Sequence, residues 1–374
     1  MPTADENWSS LKIDAIDIFP FPVRMTEPFR IATMVADHAP NVLIRVRTNQ
    51  GIDGWGEASP LHSIAGETQA ICLTAAQELK PLFLGRNPLE IADLVRDAER
   101  FLPHNATIRS AFDMAFFDIA AQAAGMPLFR LLGGAPRSME TDLTIGICPP
   151  DRAAARAVEA IEAGFRILKV KLGTTFEDDR NRLKIIRETA GPETLIRIDA
   201  NQGWDRTTAK RALDELAVYD VQFCEQPLGA YDVAGLRMLR ESAQIPVMAD
   251  EALFTAHDAL RLVHEEAAHY FNIKLSKSGG IHNALRIATI ADAGGISSMV
   301  GCMLESRLGL TAAAHFACAA HSVQFFDLDT FAEQAEDPIE GGMQVTNGLI
   351  SLPEVPGLGA APTRELLQRL VKFE

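Results

Sequence analysis

Three acids, Asp199, Glu225 and Asp250, end the short apolar runs LIRIDA (195–200), VQFCEQ (221–226) and PVMAD (246–250), at spacings of 26 and 25 residues. If those runs are neighbouring strands, three carboxylates converge at one end of a sheet, and converging anions require a cation. A set made only of oxygens favours a hard ion, Mg2+ or alternatively Mn2+, with coordination positions left for water and substrate. Zinc is disfavoured without histidine or cysteine in the set. Glu251 adjoins Asp250, and strand alternation lets only one of the two face the ion; spacing does not choose between them. Lysines end other runs: Lys169 and Lys171 in ILKVKL (167–172), Lys274 in YFNIKLS (270–276). Residues two apart share a strand face, so Lys169 and Lys171 project into the same space. Burial and mutual repulsion are expected to lower a lysine pKa there, towards the range of proton transfer. Asp327 and Asp329 in VQFFDLD (323–329) form a second inward pair by the same spacing.

The elements that must position these residues can be counted. With TDLTIGI (141–147) and SSMVGC (297–302), eight β-prone runs recur about every 25 residues, which marks repeated βα units. Between them, 152–163, 207–218, 256–265 and 281–293 carry apolar residues at helical spacing. The expected fold is α/β, a (β/α)8 barrel, whose chemistry sits at the C-terminal ends of the strands, where the charged residues fall. Neither a dinucleotide-binding nor a phosphate-binding glycine motif opens the first unit, which disfavours an open doubly wound sheet. Residues 1–133 read instead as an α+β capping domain. Leu11–Phe19 and Asn41–Arg47 are expected as strands, 67–83 and 106–124 as helices, and Met25–Pro40 and Gly56–Gly66 as loops over the barrel mouth. The barrel is placed at 134–349, with 350–374 packing back on the capping domain.

The 374 residues carry a formal net charge of −15 and no basic stripe, which opposes binding to nucleic acid. Met1–Lys12 lacks the apolar core of a signal peptide, and the apolar tract Gly294–Ala320 is broken by Glu305 and Arg307, so no membrane partner is expected. Five scattered cysteines without paired motifs suit reduced thiols and a cytoplasmic protein. His62, His315, His321 and Ser59 form no zinc or nucleophile constellation.

Taken together, KVK (169–171), IDANQGW (198–204), CEQP (224–227), MADE (248–251) and NIKLSKSGG (272–280) resemble the muconate-lactonising subgroup of the enolase superfamily, over nearly the whole chain. That resemblance implies Mg2+ on Asp199, Glu225 and Asp250, holding a substrate carboxylate and stabilising an enediolate. It also implies Lys171 and Lys274 as acid/base groups on opposite faces of the α-carbon, with Lys169 assisting at the carboxylate and Lys277 a bystander. DLD (327–329) resembles the element with which dipeptide epimerases bind an α-ammonium group, and Thr144 and the backbone around Cys302 and Leu304 match positions that contact the dipeptide there. In the loop PFRIATMVADH (28–38), Met34 stands where epimerases of L-Ala-L-Glu carry a basic residue. With Leu61 and Ile64 it implies a substrate with an apolar second residue. The expected activity is 1,1-proton transfer at that residue, and the resemblance implies a homo-oligomer. N-acylamino-acid racemase, o-succinylbenzoate synthase and muconate cycloisomerase are the alternatives within the superfamily; an inactive binding scaffold is the alternative outside catalysis.

Overall fold

The computed structural model describes residues 8–374, so Met1–Asn7, part of the stretch read for a leader, lie outside the described residues. Eight strands form one parallel sheet in chain order: Leu143–Ile145, Ile167–Lys171, Leu195–Asp199, Val221–Glu225, Val247–Ala249, Tyr270–Ile273, Ser297–Val300 and Val323–Phe326. They are the eight runs expected from sequence. The sheet curls until its first and last strands meet in a bridge between Thr141 and Phe326, where the Leu328 N–H also donates to Thr141 Oγ1 at 2.9 Å. Helices Pro150–Glu162, Arg206–Glu215, Ala256–His264 and Ile281–Ala293 fall where helical spacing put them. Low in the barrel, Phe223, Tyr270 and Phe325 pack ring against ring, and the Arg197 guanidinium lies over Phe223 and Phe325 at 5.3 and 5.4 Å. Arg197 is itself neutralised by Asp142 at 2.8 Å. The barrel is thus plugged by aromatic and paired charged layers.

The N-terminal segment departs from expectation. Met25–Pro40 is not a loop: Ile13–Ile31 and Met34–Thr48 form one long antiparallel hairpin whose pairing runs out to Ile31 opposite Met34. Met25–Pro40 is rich in turn residues, Pro28 among them, hence the expectation of a loop. However, the first of these strands has a neighbour on one side only, and proline is tolerated on such an edge because its missing N–H need not serve a second partner. The hairpin tip is fastened over the barrel mouth, since Arg30 O accepts the Ile147 N–H and Arg24 O accepts the Ala335 N–H, both at 2.8 Å. Likewise Gly56 belongs to a third strand, Asp53–Ala58, and the rest of that expected loop contains the short helix His62–Ala65.

Glu57, fully buried on the third strand, joins the capping sheet to the barrel. Its carboxylate accepts the N–H groups of Ser306 and Gly309, both at 2.9 Å, at the start of helix Arg307–Ala319. A carboxylate at a helix N-terminus is favourable, although burial here pushes the Glu57 pKa up to about 7. The chain end returns to the first strand, where the Phe373 N–H donates to Ile18 O at 2.8 Å. All five cysteines are free thiols, and no described helix is long and apolar enough to cross a membrane.

His315 is a buried core residue. The Phe129 N–H donates to its Nδ1 at 3.1 Å and its Nε2 lies 3.0 Å from Leu358 O, a pairing that only the neutral ring protonated at Nε2 satisfies. Burial lowers its pKa to about 4 from the usual 6.5. The unfolded chain therefore binds the additional proton first, and stability falls as pH drops from 6.5 towards 4, by about 3 kcal/mol in total for this residue. Nitrogen NMR is expected to show a neutral Nε2–H ring at pH 6 that persists until the pH nears 4. A ring already cationic at pH 6 would contradict this assignment.

Candidate functional site

Strand register builds the site. Lys171 lies opposite Asp199, and Asp199 opposite Glu225, on three consecutive strands. Residues opposite one another in a ladder share a face, so these three form one row across the barrel mouth. Asp250 directly follows the next strand, Val247–Ala249, and Lys274 follows Tyr270–Ile273. Below the row, Thr144 lies opposite Lys169. Every one of these side chains is buried.

The charges interlock. Lys171 Nζ lies 2.6 Å from Asp199 Oδ2, Lys274 Nζ 2.8 Å from Asp250 Oδ2, and Lys169 Nζ 2.7 Å from both Glu225 Oε2 and Asp327 Oδ2. The other oxygen of each acid in the row is held from outside. The Asn201 N–H donates to Asp199 Oδ1 at 2.8 Å, the Asn272 amide to Glu225 Oε1 at 2.7 Å, and Lys277 Nζ to Asp250 Oδ1. Three acids thus present one oxygen each to a common space. Glu225 Oε2 and Asp250 Oδ2 are buried yet accept no well-aligned hydrogen bond, despite the nearby ammonium groups. Such orphaned anionic oxygens fit a hard divalent cation, for which Asp199, Glu225 and Asp250 would be the ligands. Glu251, the rival by sequence, accepts the Asn201 amide on Oε1 at 3.2 Å and borders a separate outer cleft.

The expectation of lowered lysine pKa values needs correction. Burial does act downward on Lys169, but Asp327, Glu225 and Asp199 outweigh it and hold the group well above its ordinary value. Lys274 is raised in the same way, with burial opposed by Asp250 and Glu225. Carboxylates, not the neighbouring lysine, dominate each ammonium group's surroundings. A divalent cation among the same acids would reverse the balance by adding positive charge beside both lysines.

Above the charged floor lies a cavity of about 610 Å3. Thr144, Lys169, Lys171, Lys274, Asp327 and Asp329 supply its polar surface, and Cys302, Met303 and Leu304 one side. The apolar wall comes from the capping domain: Phe29, Ile31 and Met34 from the hairpin, Leu61 and Ile64 from the segment after the third strand. Asp329 Oδ2 accepts the Thr144 N–H at 2.5 Å, and burial, then Asp327, raises its pKa to about 6. Asp327 moves the other way: burial would raise it, but Lys169, Lys171 and Lys274 together hold it below the usual value. Leu304 lines the cavity with its main chain already engaged, the N–H donating to Ser59 Oγ at 3.1 Å and the carbonyl accepting from Asn41 at 2.9 Å and Gln334 at 3.2 Å.

Lys277 is not a bystander. It is fully buried on the short helix Leu275–Ser278 and donates to both Asp250 Oδ1 and the Asp250 carbonyl. The three-residue step from Lys274 was the available signal, since one helical turn brings the side chain back to the same side. Gln226 was also missed. Its amide oxygen accepts the N–H groups of Asp250 and Ala252 at 2.9 and 3.1 Å, tying together two strand ends that carry acids. Asn201, Gln202 and Gln226 all hold positive φ, 41°, 67° and 34°, immediately beyond Asp199 and Glu225. Backbone strain of this kind concentrates where a site fixes its geometry.

Comparison with known proteins agrees with the geometry. Residues 15–133 match the N-terminal domain of mandelate racemase / muconate lactonizing enzyme, and residues 152–366 match the enolase C-terminal domain-like family. A D-Ala-D/L-Ala epimerase from Cytophaga hutchinsonii is 40% identical over 96% of this chain and 99% of its own. A hydrophobic dipeptide epimerase from Enterococcus faecalis is 36% identical over 93% of this chain and 99% of its own. The crystal structure of the dipeptide epimerase from Cytophaga hutchinsonii, complexed with Mg and D-Ala-L-Val, superposes with a TM-score of 0.95 over 97% of this chain and 99% of that one, at 40% identity. With both domain matches and relatives aligned along nearly its entire length, the chain belongs to the mandelate racemase / muconate lactonizing enzyme family of the enolase superfamily.

Proposed function

We propose that the protein is a Mg2+-dependent dipeptide epimerase that inverts the α-carbon of the second residue. The observation that carries this reading is the placement of two lysines at either end of the acidic row, Lys171 against Asp199 and Lys274 against Asp250, with a second acidic pair, Asp327 and Asp329, in the same cavity. A carboxylate drawn to a cation held by the row would lie between the lysines, and an ammonium group would be drawn to the pair. A dipeptide carries both groups.

In this reading Lys171 and Lys274 exchange the roles of base and acid at the α-carbon, one removing the proton and the other returning one from the opposite side. Lys169 steadies the acidic end, and Mg2+, when bound by Asp199, Glu225 and Asp250, supplies positive charge against which the substrate carboxylate can accumulate electron density. Asp327 and Asp329 hold the first residue's ammonium group, with Thr144 fixing Asp329. Capping-domain residues exclude water above the reaction. Met34 and its neighbours offer an uncharged wall to the second side chain, and similarity to the hydrophobic dipeptide epimerase supports an apolar residue there. An N-acylamino acid has no ammonium group to offer the acidic pair Asp327 and Asp329, which disfavours the racemase alternative. Five unpaired thiols suit a reducing compartment, consistent with a cytoplasmic enzyme.

Proton NMR of L,L-dipeptides in D2O with Mg2+ tests the reaction. Exchange at the second residue with formation of the L,D diastereomer is expected, fastest for apolar second residues, and lost on chelation. Lys171→Ala and Lys274→Ala are each expected to lower kcat for inversion by about 10^3-fold or more. No exchange with any dipeptide while the metal is bound would overturn the reading.

The ammonium pocket has its own test. N-acetylation of the best dipeptide is expected to raise KM by about tenfold or more, because it removes the charge that Asp327 and Asp329 would bind. Asp329→Asn should reduce the discrimination between free and acetylated dipeptide. Equal kcat/KM for the two substrates with the unaltered enzyme would contradict the role of the pair.

A further inference from the structure

Lys277 is a charged side chain beside the acidic row that the proposed chemistry leaves unused. Its ammonium group is sealed from solvent and meets three oxygens: Asp250 Oδ1, the Asp250 carbonyl at 2.5 Å and the Asn272 carbonyl at 3.1 Å. The Phe254 ring closes another side, 5.6 Å from Nζ. A lysine ammonium has three donors, so the contacts on Asp250 and Asn272 use its full capacity and fix its position. Lys274, one helical turn earlier, approaches the opposite oxygen of the same carboxylate, Oδ2, at 2.8 Å. Asp250 is therefore gripped from both sides, with Oδ1 withdrawn and Oδ2 alone presented to the row.

We propose that Lys277 is a positioning residue that makes Asp250 a one-oxygen ligand and thereby sets which divalent cation the site accepts. The inference rests on the reading of Asp199, Glu225 and Asp250 as ligands. Mg2+ requires near-octahedral coordination and takes one oxygen from each carboxylate, whereas Ca2+ is larger, accepts six to eight oxygens and readily takes both from one carboxylate. With Oδ1 of Asp250 occupied by an ammonium group, the second oxygen that would favour Ca2+ is not available. The other two acids are restricted in parallel, by the Asn201 N–H on Asp199 and the Asn272 amide on Glu225. Lys277 differs from both in being charged. It repels any cation that drifts towards Oδ1, and it couples the Asp250 carboxylate to the carbonyls of two strand ends. Its removal alters cation preference as well as local order.

The test is competition for bound Mn2+, followed by electron paramagnetic resonance, with Mg2+ and Ca2+ as competitors, on the full chain and on Lys277→Met. Lys277→Met keeps the length and apolar stem of the side chain and removes the ammonium group. The preference for Mg2+ over Ca2+ is expected to shift towards Ca2+ by about tenfold in the variant, because Asp250 becomes free to offer both oxygens. A merely structural role would weaken both competitors alike, so an unchanged ratio overturns the inference. Absence of Mn2+ binding to the unaltered protein would instead overturn the metal reading on which it rests. If the variant does not fold, crystals of the unaltered protein soaked in Ca2+ provide the second measurement. Asp250 bound through Oδ2 alone, with Lys277 still on Oδ1, supports the assignment, and Asp250 bound through both oxygens overturns it.

Discussion

Charge compensation in a water-poor space is the constraint on which the rest of this structure depends. Asp199, Glu225, Asp250, Asp327 and Asp329 are buried together with Lys169, Lys171, Lys274 and Lys277 at one end of a barrel. Any one of these groups alone would be strongly destabilising away from water; all but Asp329 have an opposite charge within hydrogen-bonding distance, and Asp329 accepts the Thr144 N–H instead. The strand register enforces those distances: a slip of one residue in any of the three strands carrying Lys171, Asp199 and Glu225 would turn its charged group into the helical layer. The aromatic plug beneath, with Arg197 neutralised by Asp142, fixes the floor against which this register is set.

The capping domain completes the arrangement. Without the hairpin tip and the segment after the third strand, the charged floor would face solvent, and water would weaken every pairing in it. Glu57 and Asn41 fasten that domain to the loop carrying Cys302 to Leu304, so cavity wall and lid share one hydrogen-bonded support. The apolar wall of the cavity and the cover over the charged floor therefore come from the same residues.

Most of the barrel was legible in the sequence because βα repetition and charged strand ends are local patterns. Each of the eight runs became a strand, and the acids that ended them came together as spacing required. What stayed hidden depends on contacts between distant segments. Met25–Pro40 reads as a loop from its turn residues, yet Pro28 sits on an edge strand, where its missing N–H need not serve a second partner, so the hairpin runs through it. Lys277 looks external until its helical turn is seen to fold back beneath Asp250. Lys169 was expected to be pulled down by Lys171, but its neighbours in space are Asp327, Glu225 and Asp199, none adjacent to it in sequence. Even the choice between Asp250 and Glu251 needed the side-chain directions, because the pattern MADE permits either.

In the proposed reading, each acid of the row has one oxygen held from outside and offers the other to a single shared cation. Anomalous diffraction from crystals grown with Mn2+ measures this directly. The account predicts one strong peak among Asp199 Oδ2, Glu225 Oε2 and Asp250 Oδ2. A peak at Asp327, Asp329 and Cys302 instead, or none in the barrel mouth, would contradict it.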